Sequence, residues 1–217
     1  MKPQLPEGGY FNLAVARDEA VKKLSLYDPR LLARNAAVDF SEENRSLAIP
    51  FLHRLYHLSC PGGTIYDDEG KEAPIYQSIL LLHYLVTADG TPLSGEWISY
   101  RHLPGGEIYT EPFRRRAVLP FLQAYGAAPQ SFVDDAAAIG GRRSPGSGVS
   151  MVIPVFPRVP LKLTLWPGDE ELPASAAILF DAQAPSYLPT EDYAHLPALV
   201  IGAMQERSGE LAPDGGP

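Results

Sequence analysis

The feature that most constrains this chain is the segment IYQSILLLHYLVT, residues 75–87, which is apolar on nearly every side. Pro74 suits the first turn of a helix, and Gly90 suits a position just after its end. Such a helix must be surrounded by other elements, because water would otherwise meet apolar side chains all round. Within this segment the uninterrupted apolar run Ile79–Leu82 ends at His83, far short of the roughly 20 residues that cross a bilayer. We therefore predict a central buried helix in a water-soluble fold.

The segments around this helix alternate between helical and strand-like patterns. Besides the central helix, the predicted helices run from just after Gly8-Gly9 to Asp28, from Pro29 to Ala36, from Glu111 to Tyr125, from Gln130 to Ile139 and from Thr190 to about Arg207. The predicted strands are two or three within Ser46–Tyr66, then Trp97–Tyr100, Val149–Phe156, Leu161–Trp166 and Ala176–Phe180. This order predicts an α+β fold, with an antiparallel or mixed sheet of short strands packed with the buried central helix and flanking helices. We expect a single domain over residues 1–207 and a flexible tail over residues 208–217.

Charge and cysteine content exclude several classes of protein. Asp and Glu number 26 against 18 Lys and Arg, which gives a net charge of −8. This acidic balance opposes contact with nucleic-acid phosphates or anionic membranes, so we expect neither as a partner. The single cysteine, Cys60, excludes an intramolecular disulfide and an all-cysteine metal cluster. Since the start of the chain has no secretory signal pattern, we expect an acidic cytoplasmic protein.

Aromatic and cationic side chains cluster around residues 97–116, where Trp97, Arg101, His102 and Arg114 lie near a glycine-rich turn. Aromatic faces stack on planar ligands, and guanidinium groups bind carboxylates through two hydrogen bonds. The cluster therefore predicts a site for a planar, carboxylate-bearing small molecule. The alternative is a cation–π contact within a basic surface patch.

Two further side chains are candidates for the same ligand. Trp166 is either an aromatic contact for the ligand or an anchor at the edge of the core. His83, on the predicted central helix, is either a hydrogen-bonded core histidine or an axial ligand to a tetrapyrrole metal, a role that neutral imidazole fills well.

The last third of the chain is rich in carboxylates, among them Asp169, Glu170, Asp181 and Asp192. Carboxylate oxygens suit Mg²⁺, Ca²⁺ or Mn²⁺, and a close pair could share a proton for acid–base chemistry. Asp169 and Asp181 would converge if Trp166 and Asp181 lay at neighbouring ends of a hairpin. The alternative interpretation is a solvated acidic turn and carboxylates that stabilise a helix N-terminus.

Other patterns give weaker indications. His53 and His57 would share a helix face, but a strand would separate them by about 13 Å, too far for one metal ion. Neither a G-x-S-x-G nucleophile nor a phosphate-binding loop ending in Gly-Lys-Ser/Thr occurs. Cys60 has no recognisable base motif beside it, which is typical of an unreactive thiol.

Two stretches, residues 80–118 and 156–196, carry the runs WPGDEE, LFD and LPTED in a characteristic order. Their order and spacing resemble domain-of-unknown-function family 3786, a bacterial and archaeal family of about this length. The resemblance covers nearly the whole chain and implies no activity. The resemblance implies that some relatives carry an added cysteine-rich iron–sulfur segment and that relatives occur in anaerobes that use corrinoid chemistry. This chain differs from the relatives with the iron–sulfur segment, because one cysteine cannot hold a cluster.

Three hypotheses for function follow. The leading one is a non-catalytic domain that binds a small ligand or cofactor, such as a tetrapyrrole or corrinoid. The second is an enzyme that uses a divalent metal held by the carboxylates of the last third. The third is an interaction module whose acidic last third contacts a protein partner.

Overall fold

The computed structural model describes residues 10–211, and these divide into two compact units. Unit 1 consists of residues 10–93, 156–158 and 183–189, and unit 2 of residues 94–155, 159–182 and 190–211. Each unit combines an antiparallel sheet with helices, which confirms the predicted α+β class. The expected single domain stays a prediction, and residues 212–217 of the expected tail lie outside the described residues.

Unit 1 contains a four-stranded antiparallel sheet and helices that flank it. Its elements are α1 (Tyr10–Leu24), α2 (Pro29–Ala36), β1 (Asp39–Ser41), β2 (Ser46–Phe51), β3 (Arg54–Ser59), β4 (Ile65–Asp67) and α3 (Ile75–Thr87). The strands pair in the order β1-β2-β3-β4. Strand β1 was not predicted, because three residues are too few to show an alternating pattern.

Helix α3 is the predicted central helix, and α1 and α2 both pack against it. Seven of its thirteen side chains are buried, which confirms the burial inferred from its apolar sequence. Buried Tyr84 donates a hydrogen bond from its hydroxyl to the Ala36 carbonyl oxygen at 2.5 Å. The same hydroxyl accepts one from the Arg158 backbone N–H at 3.2 Å. The Tyr84 ring stacks on Phe156 with centroids 4.2 Å apart.

Unit 2 contains a five-stranded sheet with strand order β5-β9-β8-β7-β6. Its elements are β5 (Trp97–Ser99), α4 (Thr110–Phe113), α5 (Leu119–Tyr125), α6 (Pro129–Ala138), β6 (Arg142–Arg143), β7 (Val149–Phe156), β8 (Val159–Trp166), β9 (Ser175–Asp181), α7 (Thr190–Tyr193) and α8 (Leu196–Leu211). The last residue of β7, Phe156, is assigned to unit 1. Short 3₁₀ turns cover Tyr100–His102 and Gly106–Tyr109, and a π-helical turn, Arg114–Val118, joins α4 to α5.

The end of the chain differs from the sequence prediction. The single helix expected from Thr190 to about Arg207 is two helices, α7 and α8. Pro197 is the second residue of α8 and has no N–H with which to continue a helix from the preceding turn, so the chain breaks there. Helix α8 then extends to Leu211, into the stretch that was expected to be a tail. Within residues 10–211, no helix has the length and apolar character needed to span a membrane.

Candidate functional site

A pocket of about 170 Å³ lies in unit 1, where the end of α1 meets the start of α2. We call it the Arg45 pocket. Its lining comes from four separate segments, which include the turn between β1 and β2 and the chain just after β3. The residues that matter most for its chemistry are Leu24, Tyr27, Leu32, Arg45, Cys60 and Pro61. The walls therefore combine apolar and polar surface in comparable amounts, with one cation and the Ser25 hydroxyl among the lining groups.

Close packing of the loop after β3 against α1 shapes one side of this pocket. Gly63 has a φ of +71°, and a Cβ at that position would lie 2.7 Å from a methyl carbon of Val21. Only glycine allows so close an approach with this backbone conformation. The Cys60 backbone N–H also donates to the Arg45 carbonyl oxygen at 2.8 Å, which connects the loop to the β1–β2 turn.

Arg45 occupies a position where the backbone favours a smaller residue. Its φ is +46°, in the left-handed region that glycine and asparagine adopt most readily. It ends the turn between Ser41 and Ser46, which pair across β1 and β2. No carboxylate lies within ion-pair distance of its guanidinium among residues 10–211. The pocket is thus bordered by a positive charge that its described surroundings do not neutralise.

Cys60 contributes a neutral thiol to the pocket. Burial raises the pKa of this thiol, and the positive charge of Arg45 opposes that shift only in part. Since thiolate is the nucleophilic form, a raised pKa makes the group unreactive at neutral pH. Cys60 is therefore a small apolar side chain in the pocket wall, and its S–H group is a weak hydrogen-bond donor.

The four residues of the predicted aromatic and cationic cluster lie in unit 2, where each has a local partner. The cation nearest to the Trp97 ring is Lys162 of β8, whose Nζ lies 5.8 Å from the ring centroid. Arg101 is 3.9 Å from Glu107, and Arg114 is 3.6 Å from Glu111. His102 makes a 3.0 Å hydrogen bond to the Ser99 hydroxyl. A cation–π contact was the alternative interpretation of this cluster, and its cation is Lys162, a residue that sequence reasoning missed.

The two further ligand candidates lie in different units. Trp166 donates from Nε1 to the Ser147 hydroxyl at 3.1 Å, and its ring lies against Gly148, where an added Cβ would be 2.8 Å away. It therefore anchors the loop that precedes β7. His83 is half-buried on α3 in unit 1, less enclosed than its neighbours Leu82 and Tyr84.

The expected convergence of Asp169 and Asp181 does not occur. Trp166 pairs with Ser175 at the start of β9, whereas Asp181 ends the same strand and pairs with Trp97 of β5. Six residue steps along a strand separate the two ends by about 20 Å. Asp181 is 3% exposed and accepts hydrogen bonds from the Ser94 N–H and hydroxyl, both at 3.1 Å, and from the Gly95 N–H at 2.8 Å. It fastens the loop before β5.

The remaining predicted metal ligands lie in the turn after β8 and on α7. Asp169 accepts backbone hydrogen bonds from Leu172 and Glu171, which lower the pKa of its carboxyl group. Glu170 is exposed in the same turn, and Asp192 is half-buried on α7. Within residues 10–211, no group of three or more His, Cys, Asp or Glu side chains is placed to hold a metal ion. The acidic turn that the alternative interpretation predicted is therefore what the structure contains.

Comparison with known proteins gives one result. A family model described as Domain of unknown function (DUF3786) matches residues 28–203. The chain belongs to the DUF3786 family. This confirms the resemblance seen in the sequence, and Arg45 and Cys60 both fall within the matched range. No match is found among curated proteins or among solved structures.

Sequence reasoning missed the Arg45 pocket of this DUF3786 protein. Its lining residues are widely separated along the chain and have no spacing that matches a motif. The one usable signal is local, because an arginine occupies the last position of a tight turn where glycine or asparagine is favoured. That signal becomes visible only when β1 and β2 are known to pair.

The half-buried His195, between α7 and α8, predicts a pH dependence for this DUF3786 protein. Burial lowers the pKa of His195; the charge of Asp192 opposes the shift and that of Arg116 adds to it. The unfolded chain, with an ordinary pKa of about 6.5, therefore takes up a proton before the folded chain does. We expect the free energy of unfolding to fall as pH drops through about 6.5, then to level off below the folded pKa. Urea unfolding measured at several pH values across this range gives the free energy of unfolding as a function of pH. For His195→Gln this free energy should depend less steeply on pH than for the natural chain, and an equally steep dependence would contradict the prediction.

Proposed function

We propose that this chain is a non-catalytic small-molecule-binding domain, and that the Arg45 pocket takes a compact anion with an apolar body. The ligand class is a small aromatic or short aliphatic carboxylate. The observation that carries the proposal is the charge of Arg45, which lines a pocket of mixed polar and apolar surface and has no carboxylate partner among residues 10–211. A carboxylate on the ligand would supply that partner through paired hydrogen bonds.

The pocket volume supports a ligand of modest size. An apolar cavity of about 150 Å³ accommodates benzene, and the Arg45 pocket measures about 170 Å³. Pockets for drug-sized molecules are larger, at about 300–1,000 Å³. A benzoate-sized anion fits this space, whereas the tetrapyrrole or corrinoid of the leading sequence hypothesis is too large for it.

The composition of the lining supports binding over catalysis. Among the described residues that line the pocket there is no carboxylate and no imidazole, the groups that most often act as general acid or base. The Cys60 thiol has a raised pKa and stays protonated at neutral pH, and no carboxylate or imidazole among the lining residues is available to activate the Ser25 hydroxyl. Recognition of charge and shape is what these side chains can provide.

Titration with benzoate, monitored by the amide chemical shifts in NMR spectra, tests the proposal. We expect shifts confined to the Arg45 pocket and a Kd of about 0.1–1 mM, which is reasonable for so small a ligand. Benzamide, which has the same shape without the charge, should bind more weakly. Arg45→Gly should weaken benzoate binding by about 10- to 100-fold, since hydrogen bonds to charged groups contribute about 1.5–3 kcal/mol.

Arg45→Gly is suited to this test because glycine favours the left-handed backbone at this position, so the fold should be as stable as before or slightly more stable. The matched control is Arg34→Gln, which removes an exposed charge from α2 and should leave binding unchanged. The proposal fails if benzoate produces no shifts at the pocket, or if Arg45→Gly binds it as tightly as the natural chain.

A further inference from the structure

A surface of unit 2 combines exposed apolar side chains with arginines. Ile108 is 81% exposed and Tyr109 is 57% exposed, both on the 3₁₀ turn before α4. Arg101, Arg114 and Arg115 lie in the neighbouring turns and are exposed as well. We call these five residues the basic–apolar patch. Folding does not account for the exposure of Ile108, because an isoleucine gains stability only when water is excluded from it.

This patch is held in place by a well-packed base. The rings of Tyr100 and Phe113 stack beneath it with centroids 4.3 Å apart. A Cβ on Gly106 would lie 2.0 Å from the Tyr100 carbonyl oxygen, so the 3₁₀ turn fits closely against the preceding one. Thr110 donates from its hydroxyl to the Glu107 carbonyl oxygen at 2.9 Å. Ile108 is thus presented to solvent by a fixed backbone.

The charge of the patch is incompletely neutralised. Arg114 and Arg115 both lie near a single carboxylate, that of Glu111, at 3.6 Å and 3.0 Å. One guanidinium charge therefore remains in excess at this pair. Arg116 follows in the same π-helical turn and is also exposed. An acidic surface with an apolar side chain would complement such a patch.

The turn between β8 and β9 has the complementary character. Three consecutive acidic residues, Asp169, Glu170 and Glu171, directly precede Leu172, which is 67% exposed. The Asp169 carboxylate accepts the Glu171 and Leu172 N–H groups at 2.9 and 2.8 Å, which fixes the turn. Among residues 10–211, no cationic group lies within ion-pair distance of these three carboxylates. We call residues 169–172 the acidic turn.

We infer that this chain self-associates head to tail, with the acidic turn of one copy docked on the basic–apolar patch of another. Leu172 then packs on Ile108 and Tyr109, and the carboxylates face the arginines. The contact joins two different surfaces, so each added copy leaves a patch at one end and an acidic turn at the other. Because the contact area is small, we expect weak association, with a Kd of about 0.1 mM.

Sedimentation velocity over a concentration series tests this inference. We expect the average sedimentation coefficient to rise with concentration at about 0.01 M ionic strength and to stay at the monomer value at about 1 M, where charges are screened within about 3 Å. The patch variant Ile108→Ser with Tyr109→Ser should be monomeric at both salt concentrations. The turn variant Leu172→Lys should be monomeric as well, since its lysine repels the arginines.

Mixing the two variants gives the sharpest result. The patch variant retains an intact acidic turn and the turn variant retains an intact patch, so an equal mixture should form dimers that cannot extend. The control is Val15→Ser, which removes an exposed apolar side chain from α1 and should associate like the natural chain. The inference is overturned if the natural chain stays monomeric at low salt, if either variant still associates alone, or if the mixture contains no dimer.

Discussion

Replacing Phe156 with alanine should lower the free energy of unfolding by about 3–5 kcal/mol, the range found for large aromatic side chains in cores. Phe156 is buried and stacks on Tyr84 at 4.2 Å between ring centroids, and it also contacts Phe51 at 4.8 Å. Its removal leaves a cavity between two rings that well-packed neighbours cannot fill. The loss includes the aromatic pairing energy, about 0.5–1.5 kcal/mol for each pair beyond burial alone.

Urea unfolding measures this effect as a lower midpoint with an unchanged slope. The matched control is Pro154→Ala, which alters an exposed residue of the same strand and should change stability by less than about 0.5 kcal/mol. A loss of less than about 1 kcal/mol for Phe156→Ala would mean that the ring stack does not support unit 1 as described.

Replacing Asp181 with alanine should destabilise the protein by about 3 kcal/mol. Its buried carboxylate accepts three hydrogen bonds from Ser94 and Gly95, and hydrogen bonds to a charged group contribute about 1.5–3 kcal/mol each. These contributions are not additive, because the two donor residues are exposed and water can replace part of what is lost. Asp181→Asn should cost less, since the amide oxygen still accepts from one side.

The same experiment separates a structural role for Asp181 from metal binding. Among the described residues Asp181 belongs to no group of three or more side chains that could hold a metal ion, so the destabilisation should be the same with Mg²⁺, with Ca²⁺ or with a chelator. Asp169→Asn is the comparison from the acidic turn and should change stability much less, because that carboxylate is exposed and water can replace its two backbone hydrogen bonds. Stabilisation of the natural chain by either cation, lost in Asp181→Ala, would restore the metal hypothesis.

Local patterns predicted the elements of this fold well. Helix α3 followed from an apolar run between a proline and a glycine, and strands β7 and β8 from β-branched runs separated by a short turn. Each of these signals lies within a few neighbouring residues. The break before α8 had such a signal too, in Pro197, which the prediction of one helix from Thr190 did not take into account.

Pairing between distant segments was beyond the reach of these patterns. The position of Asp181 depends on β9 pairing with β5, whose residues lie far away in the sequence. An antiparallel hairpin of β8 and β9 places the start of β9 beside the acidic turn that connects the two strands, and Asp181, the last residue of β9, lies at the far end. The Arg45 pocket was unpredictable for the same reason, since its walls meet only after the sheet and helices of unit 1 have packed.

The path of the chain has a consequence for its synthesis. The chain leaves unit 1 after Leu93 and returns twice, at residues 156–158 and 183–189. These returning segments supply Phe156, the stacking partner of Tyr84, and Tyr187, whose hydroxyl donates to the Thr91 carbonyl oxygen. On the ribosome, residues 10–93 would therefore display an unfinished aromatic core until residues 183–189 have also been made. A fragment ending at Leu93 lacks residues 156–158 and 183–189, so it does not contain all of unit 1.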